Sequence, residues 1–504
     1  FAIEFIVTSP VISSSLWLTC YNALLFSKSL LLETEKSVVD IIRKEGTDDD
    51  IANYRNLLAV NNRLLTLRNN YEYNKLDIDS LTIQQRELEQ RLSHKCQSYN
   101  EYETYLDINY EKVRNSLADH EVVVDFSDYQ TEDSVRQYAA YIYDKDKSHP
   151  FLVKCFDQQQ LDSLLDGMQN FTLYNYEQLQ DRASKLIWKP IEANIVKGST
   201  VYYIPSGVMH GIALEALPLS DGTTLGQHYD FVRLTSAREI VNAHHSNKIS
   251  RTATLYGGLQ YSLAPQKMEE ESKVYVKSDL AGLVRSEYGE SGFKDLRNTK
   301  DEVKKIEKTL VDNGFSVKAY LGSKGNAESF VALDGKSPSI VHIATHGFYY
   351  TPDEAKDKDF LSGYTDAMSL SGLVFAGGNA AWLGKENVDG VLGGVLTAKD
   401  IANLDFKGTD LLVLSACKTG QGKVTAEGVF GLQRAFKKAG VGTIIMSLWN
   451  VDDKVTSEFM VAFYERLTDK ANNWNKRKAF EQTKEIIRKK HPDPYYWAAF
   501  VMLD

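Results

Sequence analysis

A chain of 504 residues is too long for one ordinary core, because domains run to roughly 100–200 residues, so two or three packed units are expected. Its composition, 43% apolar and 25% charged, is that of a globular protein and excludes wholesale disorder. With 58 basic against 68 acidic side chains the net charge is −10, which removes the long-range attraction to phosphate and leaves no nucleic acid partner expected.

The opening segment, Phe1 to Leu18, is fairly apolar, yet it contains Glu4 and lacks a basic start. It falls short of the roughly 18 uninterrupted apolar residues that a membrane span requires, so no membrane association is expected. A chain beginning at Phe1 reads as a fragment or processed product, and its opening as a helix cut from a longer array rather than a signal peptide. The four cysteines, Cys20, Cys96, Cys155 and Cys417, form no C-x-x-C pair, which argues against a zinc cage or a disulfide framework. Scattered thiols suit a reducing compartment, and a cytoplasmic location is expected.

Glycine draws the first boundary. Residues 1–166 hold Gly46 and no other glycine, and Pro10 and Pro150 are their only prolines. Helix interiors exclude both residues, whereas βα turns need glycine. Residues 1–115 are therefore expected to be helical. In Tyr54–Leu67 the residues Leu57, Leu58, Val60, Leu64, Leu65 and Leu67 recur at helical spacing, and Leu81–Tyr110 has the Glu, Gln, Leu and Arg of long paired helices.

Beyond residue 116 the texture changes. Glu121–Phe126, Gln137–Tyr143 and Thr200–Gly207 read as strands, with a helix over Tyr176–Trp188. From residue 256 the same alternation sharpens. Lys300–Asp312 places Val303, Ile306 and Leu310 on one helical face, and three apolar strands follow at Ser339–Thr345, Asp410–Ser415 and Gly442–Trp449. A helix is expected over Glu427–Ala439. Strands alternating with helices predict an α/β fold with a largely parallel sheet, covered on both faces where the strands are continuously apolar. The expected units are 1–115, 116–255 and 256–504.

Ligands of such sheets gather beyond the carboxyl ends of the strands. His346, Cys417 and the pair Asp452 and Asp453 each follow one of the three strands. An imidazole near a thiol makes thiol-based hydrolysis feasible at neutral pH, and Gly347 beside His346 offers a backbone N–H to an oxyanion. The competing reading makes Cys417 a small buried residue at a strand end. His342 and His346 are four apart, but Ile343 stands where a zincin helix needs Glu, so no metal is expected and His342 reads as a satisfied sheet histidine. Gly377-Gly378 and Gly390–Gly394 match no nucleotide-binding pattern and are read as flexible loops over the site; no G-x-S-x-G elbow is present.

The runs Ile343–Gly347, Leu412–Gly420 and Gly428–Phe436, the last followed by Ala439-Gly440, resemble the CHAT domain. That caspase-like family accompanies tetratricopeptide repeats and is related to separase. Ser371–Gly377, Leu396–Ile401, Tyr496–Phe500, Ile204–Gly207 and Leu217-Pro218 fit as well, so the likeness runs from about residue 120 onward. The resemblance implies a caspase-hemoglobinase-like sheet flanked by helices, and a non-catalytic caspase-like half at 116–255, where Cys155 lacks a glycine turn. It also implies a degenerate tetratricopeptide-like helical connector before that half.

The implied activity is that of a bacterial-type cysteine endopeptidase acting on a protein substrate, without cofactor. Cys417 is then the nucleophile, His346 its proton partner, and the amides of Gly347 and Cys417 the oxyanion donors. The Q-A-C-x-G signature of caspases is only partly matched, with glycine displaced to Gly420, and His346 lies 71 residues upstream instead of the roughly 50 of caspases. A loop over Tyr349–Met368 accounts for the longer gap. Separase-like relatives bind Arg with an acidic residue after the third strand, so Ser447, Trp449, Asn450, Asp452 and Asp453 are the expected substrate-binding segment, with a preference for basic side chains. The alternative is that both aspartates cap a helix at Lys454–Leu467. A regulatory protein partner on the helical region is expected to control a latent site. The rival readings are a catalytically silent caspase-like scaffold and another thiol-based reaction such as deamidation.

Overall fold

The computed structural model describes residues 14–28, 47, 49–50, 52–53, 56–57, 60, 77, 80–88, 91, 108–165, 170–242, 250–275, 291–350, 368–384, 391–415, 423–425 and 428–504. Cys417, Gly420 and Gly422, most of the loop Tyr349–Met368 and much of the expected helical stretch Tyr54–Tyr110 lie outside these residues. Among the described residues, no helix is long and apolar enough to cross a membrane.

The opening part is helical where described. Helix α1 spans Ser14–Ser27 and α2 spans Tyr110–Asn115, the latter begun by Asn109, whose Oδ1 accepts the Lys112 N–H at 3.1 Å. Leu57, Val60, Leu81 and Leu88 pack together.

Upstream strands are β1 (Glu121–Gln130), β2 (Arg136–Asp144), β3 (Phe151–Asp157), β4 (Thr200–Ile204) and β5 (Asp230–Arg233). Helix α3 (Glu177–Ile187) lies between β3 and β4. Downstream come β6 (Thr252–Leu259), β7 (Ser316–Gly322), β8 (Ile340–Ala344), β9 (His346–Tyr349), β10 (Ser371–Val374) and β11 (Val395–Thr397). They are followed by β12 (Leu411–Ser415), β13 (Lys423–Thr425), β14 (Gly428–Phe430), β15 (Thr443–Ser447) and β16 (Phe500–Leu503). The downstream helices include α4 (Thr299–Asp312), α5 (Gly378–Trp382), α6 (Leu432–Lys438), α7 (Asp453–Thr468) and α8 (Lys476–Lys490).

Eleven strands form one sheet in the order β3-β2-β1-β4-β5-β16-β15-β12-β8-β6-β7. It is largely parallel, as predicted. The antiparallel exceptions are the β1-β2-β3 meander and the β15–β16 pair. Strand β16 joins the upstream and downstream strands, pairing parallel to β5 and antiparallel to β15. Every residue of β8, β12 and β15 is buried, because helices cover the sheet and continuous apolar runs can then face both layers. Val303, Ile306 and Leu310 of α4 are buried against it as their spacing requires. This helix crosses β6 so closely that a Cβ at Gly257 would sit 2.6 Å from the Thr299 carbonyl oxygen.

Two expectations need correction. The helix expected at Glu427–Ala439 begins at Leu432, because Val429 and Phe430 pair in a hairpin with Val424 and Lys423, and strand-favouring side chains win over helical continuation there. As expected, His346 follows the strand that holds His342: β8 ends at Ala344 and His346 opens β9 in a separate three-stranded sheet, β11-β10-β9. The glycines at 377, 378 and 394 are not slack covering loops. A Cβ on Gly394 would lie 2.6 Å from both the Ala376 oxygen and the Gly378 nitrogen, so two backbones cross there without room for side chains.

Candidate active site

Strands β8 and β12 are parallel neighbours, with Ala344 opposite Ser415 at their carboxyl ends. Both lead into the segments that hold the expected dyad. After β8 the chain turns at Thr345, whose buried hydroxyl donates to the Val374 carbonyl and lies 3.0 Å from the Tyr261 hydroxyl. That anchor swings the next residue, His346, out of the large sheet and into β9.

His346 sits in an aromatic niche. Its ring centroid is 4.9 Å from those of both Tyr261 and Phe293. Its Nε2 lies 2.8 Å from the carbonyl oxygen of Lys294. A carbonyl only accepts, so Nε2 carries the hydrogen and, in the neutral ring, Nδ1 keeps its lone pair. Desolvation by burial lowers the His346 pKa below its ordinary value. The Lys294 hydrogen bond and the negative charges of Asp453 and Asp295 oppose that shift without cancelling it. The imidazole is therefore neutral at neutral pH and able to take a proton at Nδ1.

Gly347 pairs with Leu373 across the β9–β10 ladder. The bond from Tyr350 N–H to Leu370 O sets the alternation, so the Gly347–Leu373 pair is a non-hydrogen-bonded one. The Gly347 N–H consequently points away from β10, and β9 is the edge of its sheet.

The segment after β15 divides by role. Ser447 and Trp449 are buried; the Trp449 indole stacks on Tyr174 at 4.7 Å and donates to the Tyr495 carbonyl at 2.9 Å. Asn450 is exposed, and its backbone oxygen accepts from the Tyr495 hydroxyl at 2.6 Å. Asp452 is the N-cap of α7, its Oδ1 accepting from the N–H groups of Lys454 at 2.9 Å and Val455 at 3.2 Å. Asp453 has a different partner: its Oδ2 accepts from Asn298 Nδ2 at 2.9 Å. The two aspartates thus separate, one holding the helix start and the other facing the histidine's surroundings.

His342 is satisfied beneath the site, as expected. It is fully buried, with Nε2 2.9 Å from Glu302 Oε1 and Nδ1 3.5 Å from the Tyr464 hydroxyl. Among the described residues, no cluster of three or more His, Cys, Asp or Glu side chains could hold a metal ion. In β3, desolvation pushes the half-buried Cys155 thiol up to about 12, which leaves no reactive thiolate. The niche around His346, built from Tyr261, Phe293 and the Lys294 carbonyl, was not singled out from the sequence. Any residue carries a carbonyl, so residue type gives no signal for the last of these.

Comparison with known proteins covers much of the chain. Human tetratricopeptide repeat protein 28 is 32% identical over 111 residues, which are 22% of this chain and 4% of that protein. The mouse protein of the same name is 31% identical over 111 residues. The chain thus spans about 4% of the length of these curated relatives. Separase of Saccharomyces cerevisiae, from a separase–securin complex, aligns with 94% of this chain and 37% of its own at 10% identity and a TM-score of 0.44. The Arg-specific cysteine proteinase gingipain R aligns with 65% of this chain and 66% of its own at 10% identity and a TM-score of 0.36. The family model of the CHAT domain matches residues 178–503, from within α3 to the end of β16, and on that match the chain belongs to the CHAT domain family.

Proposed function

We propose that the chain is a cysteine endopeptidase in which Cys417 is the nucleophile and His346 its proton partner. The observation that carries this reading is the His346 imidazole itself. It is neutral, held by Nε2–H on the Lys294 carbonyl, which leaves Nδ1 as the lone-pair nitrogen, at the end of β8, beside the strand that leads to Cys417. In the reaction, Nδ1 takes the thiol proton and the sulfur attacks the scissile carbonyl carbon. The N–H groups of Gly347 and Cys417 stabilise the oxyanion, and the outward aim of the Gly347 N–H supports its part in this. The imidazolium returns its proton to the departing amine. Water then hydrolyses the thioester and the thiol is restored. No metal or organic cofactor enters the cycle.

A basic side chain before the cut is the proposed preference, with Asp453 as its counter-charge and Asn450 beside it at the exposed rim. The capping role of Asp452 removes one of the two candidate carboxylates. Control by a protein partner on the helical region is part of the proposal. The relatives named for tetratricopeptide repeats and the separase found with securin motivate that part.

The test is terminal sequencing of a diverse peptide library exposed to the chain and to Cys417→Ala. New termini made only by the unmodified chain, most of them after Lys or Arg, are the expected result. Silence from both chains, with and without a partner of the helical region, favours the alternative of a silent scaffold. Deamidated but uncut peptides favour the third reading. Asp453→Asn is expected to lower cleavage after basic residues at least tenfold relative to cleavage after Leu; an unchanged ratio removes Asp453 from the specificity pocket.

A further inference from the structure

The structure assigns a positioning role to Asn379, which we infer fixes the tautomer of His346 by holding both walls of its niche. The inference deepens the proposed dyad and, for its catalytic consequence, rests on that reading.

Asn379 is the second residue of the single turn α5, buried at 7% exposure. Its side-chain amide grips one residue twice. Oδ1 accepts the Phe293 N–H at 2.7 Å, and Nδ2 donates to the Phe293 carbonyl at 2.9 Å. The second Nδ2 hydrogen goes to Ser262 Oγ at 2.9 Å. The backbone N–H of Asn379 donates to the Tyr261 carbonyl at 3.0 Å. Phe293 and Tyr261 are the two rings that enclose His346, and the carbonyl that accepts from its Nε2 belongs to the next residue after Phe293. One residue therefore ties together the two aromatic walls and sets the direction of the acceptor.

Other features show that this grip is built into the fold. Gly292 lies against the amide so closely that a Cβ there would be 3.0 Å from Asn379 Cγ. Three residues further along α5, the Trp382 indole donates to the Ser291 carbonyl at 3.0 Å and packs on the Phe293 ring at 4.5 Å. The helix is fixed in turn by the glycine crossing at Gly378 and Gly394. A planar amide offers a donor and an acceptor side by side, which is what a backbone N–H and C=O of one residue present. Aspartate lacks the donor, and alanine lacks both. Without the amide, the Lys294 carbonyl loses its fixed direction, Nε2–H loses its acceptor, and the ring becomes free to carry its hydrogen on Nδ1. That form cannot take the thiol proton.

The decisive experiment is nitrogen NMR of chain labelled with ring-15N histidine, with the His346 signals assigned by their loss in His346→Ala. The unmodified chain is expected to show the Nε2–H tautomer alone at neutral pH. Asn379→Ala, and Asn379→Asp as the isosteric second variant, are expected to show a mixture with the Nδ1–H form. In parallel, kcat for peptide cleavage falls by roughly 10- to 100-fold in both variants with KM little changed, as for a misaimed catalytic group. A folded Asn379 variant that keeps the pure Nε2–H tautomer overturns the assignment. If no chain cleaves any peptide while the tautomer still changes, the positioning role stands and the protease reading fails. Unfolding of Asn379→Ala and Asn379→Asp alike, with His346→Ala still folded, also overturns it, since the residue then serves the fold at large.

Discussion

At the scale of single residues, the half-buried His346 and the buried His210 give the chain a defined response to acid. His346 has its pKa lowered by desolvation. His210 has its own pushed well below the ordinary value, first by burial and then by the nearby charges of Arg233 and Lys28. Among the described residues, neither nitrogen of the buried His210 ring has a hydrogen-bond partner, so protonating it would place an unpaired charge in the interior. In the unfolded chain both groups take up protons near pH 6.5, whereas in the folded chain they do so only at lower pH. Between those values the unfolded state binds more protons, so stability is complete above about pH 6.5 and declines as pH falls toward the folded pKa. Melting temperature measured from pH 7.5 to 5 is expected to drop, and His210→Leu is expected to flatten that drop. A drop unchanged in His210→Leu assigns the acid response to other groups. At this scale the position of His346 and Gly347 just past a strand end was readable from the sequence, and the structure places them there. The Lys294 carbonyl and the Asn379 amide were not readable, because their meaning comes from a fold that brings residues 261, 293, 346 and 379 together.

At the scale of elements, α1 is fastened to the sheet by a buried ion pair. Lys28, just past the end of α1, places Nζ 2.5 Å from Asp125 Oδ1 and 2.6 Å from the Phe126 carbonyl. Tyr21 of the same helix donates to Asp125 Oδ2 at 3.1 Å. Lys28→Met leaves a buried carboxylate without its counter-charge and is expected to cost about 3–5 kcal/mol, whereas Lys28→Met with Asp125→Leu should cost much less. Urea unfolding of both variants checks this; equal losses would show that packing, rather than charge, holds the helix. At the other end of the chain, Asp452→Ala is expected to remove about 1 kcal/mol through the lost cap of α7 while leaving the proposed preference for basic residues unchanged. Elements were legible where one physical demand dominated. The runs at 339–345, 410–415 and 442–449 had to be doubly buried strands, and α4 had to be a helix from the spacing of Val303, Ile306 and Leu310. Around Gly378 and Gly394 the demand was close backbone contact between distant segments, which glycine content alone does not distinguish from a loose loop.

At the scale of the whole molecule, the upstream and downstream strands meet through β16, and α8 stitches the same junction. Arg477 donates to the Phe231 carbonyl at 2.9 Å and pairs with Asp504, while the buried Lys484 lies 2.5 Å from Glu215. Burial opposes the charge of Asp504, but the Arg477 guanidinium outweighs it and holds the carboxyl below its usual range. Removing residues 500–504 is expected to leave the edges of β5 and β15 open, giving aggregation and faster proteolysis between residues 233 and 252. A truncated chain with unchanged proteolysis would show that the halves hold together without this strand. Strand order was beyond the sequence, since pairing across hundreds of residues leaves no local trace. The insertion of β16 also acts as a clock. Of the described strands it leaves the ribosome last, and Leu503 follows Cys417 by 86 residues. At ordinary rates of synthesis the Cys417 segment is made on the order of ten seconds before the sheet can close around its neighbours. A nascent chain therefore carries its thiol for that interval in an unfinished frame.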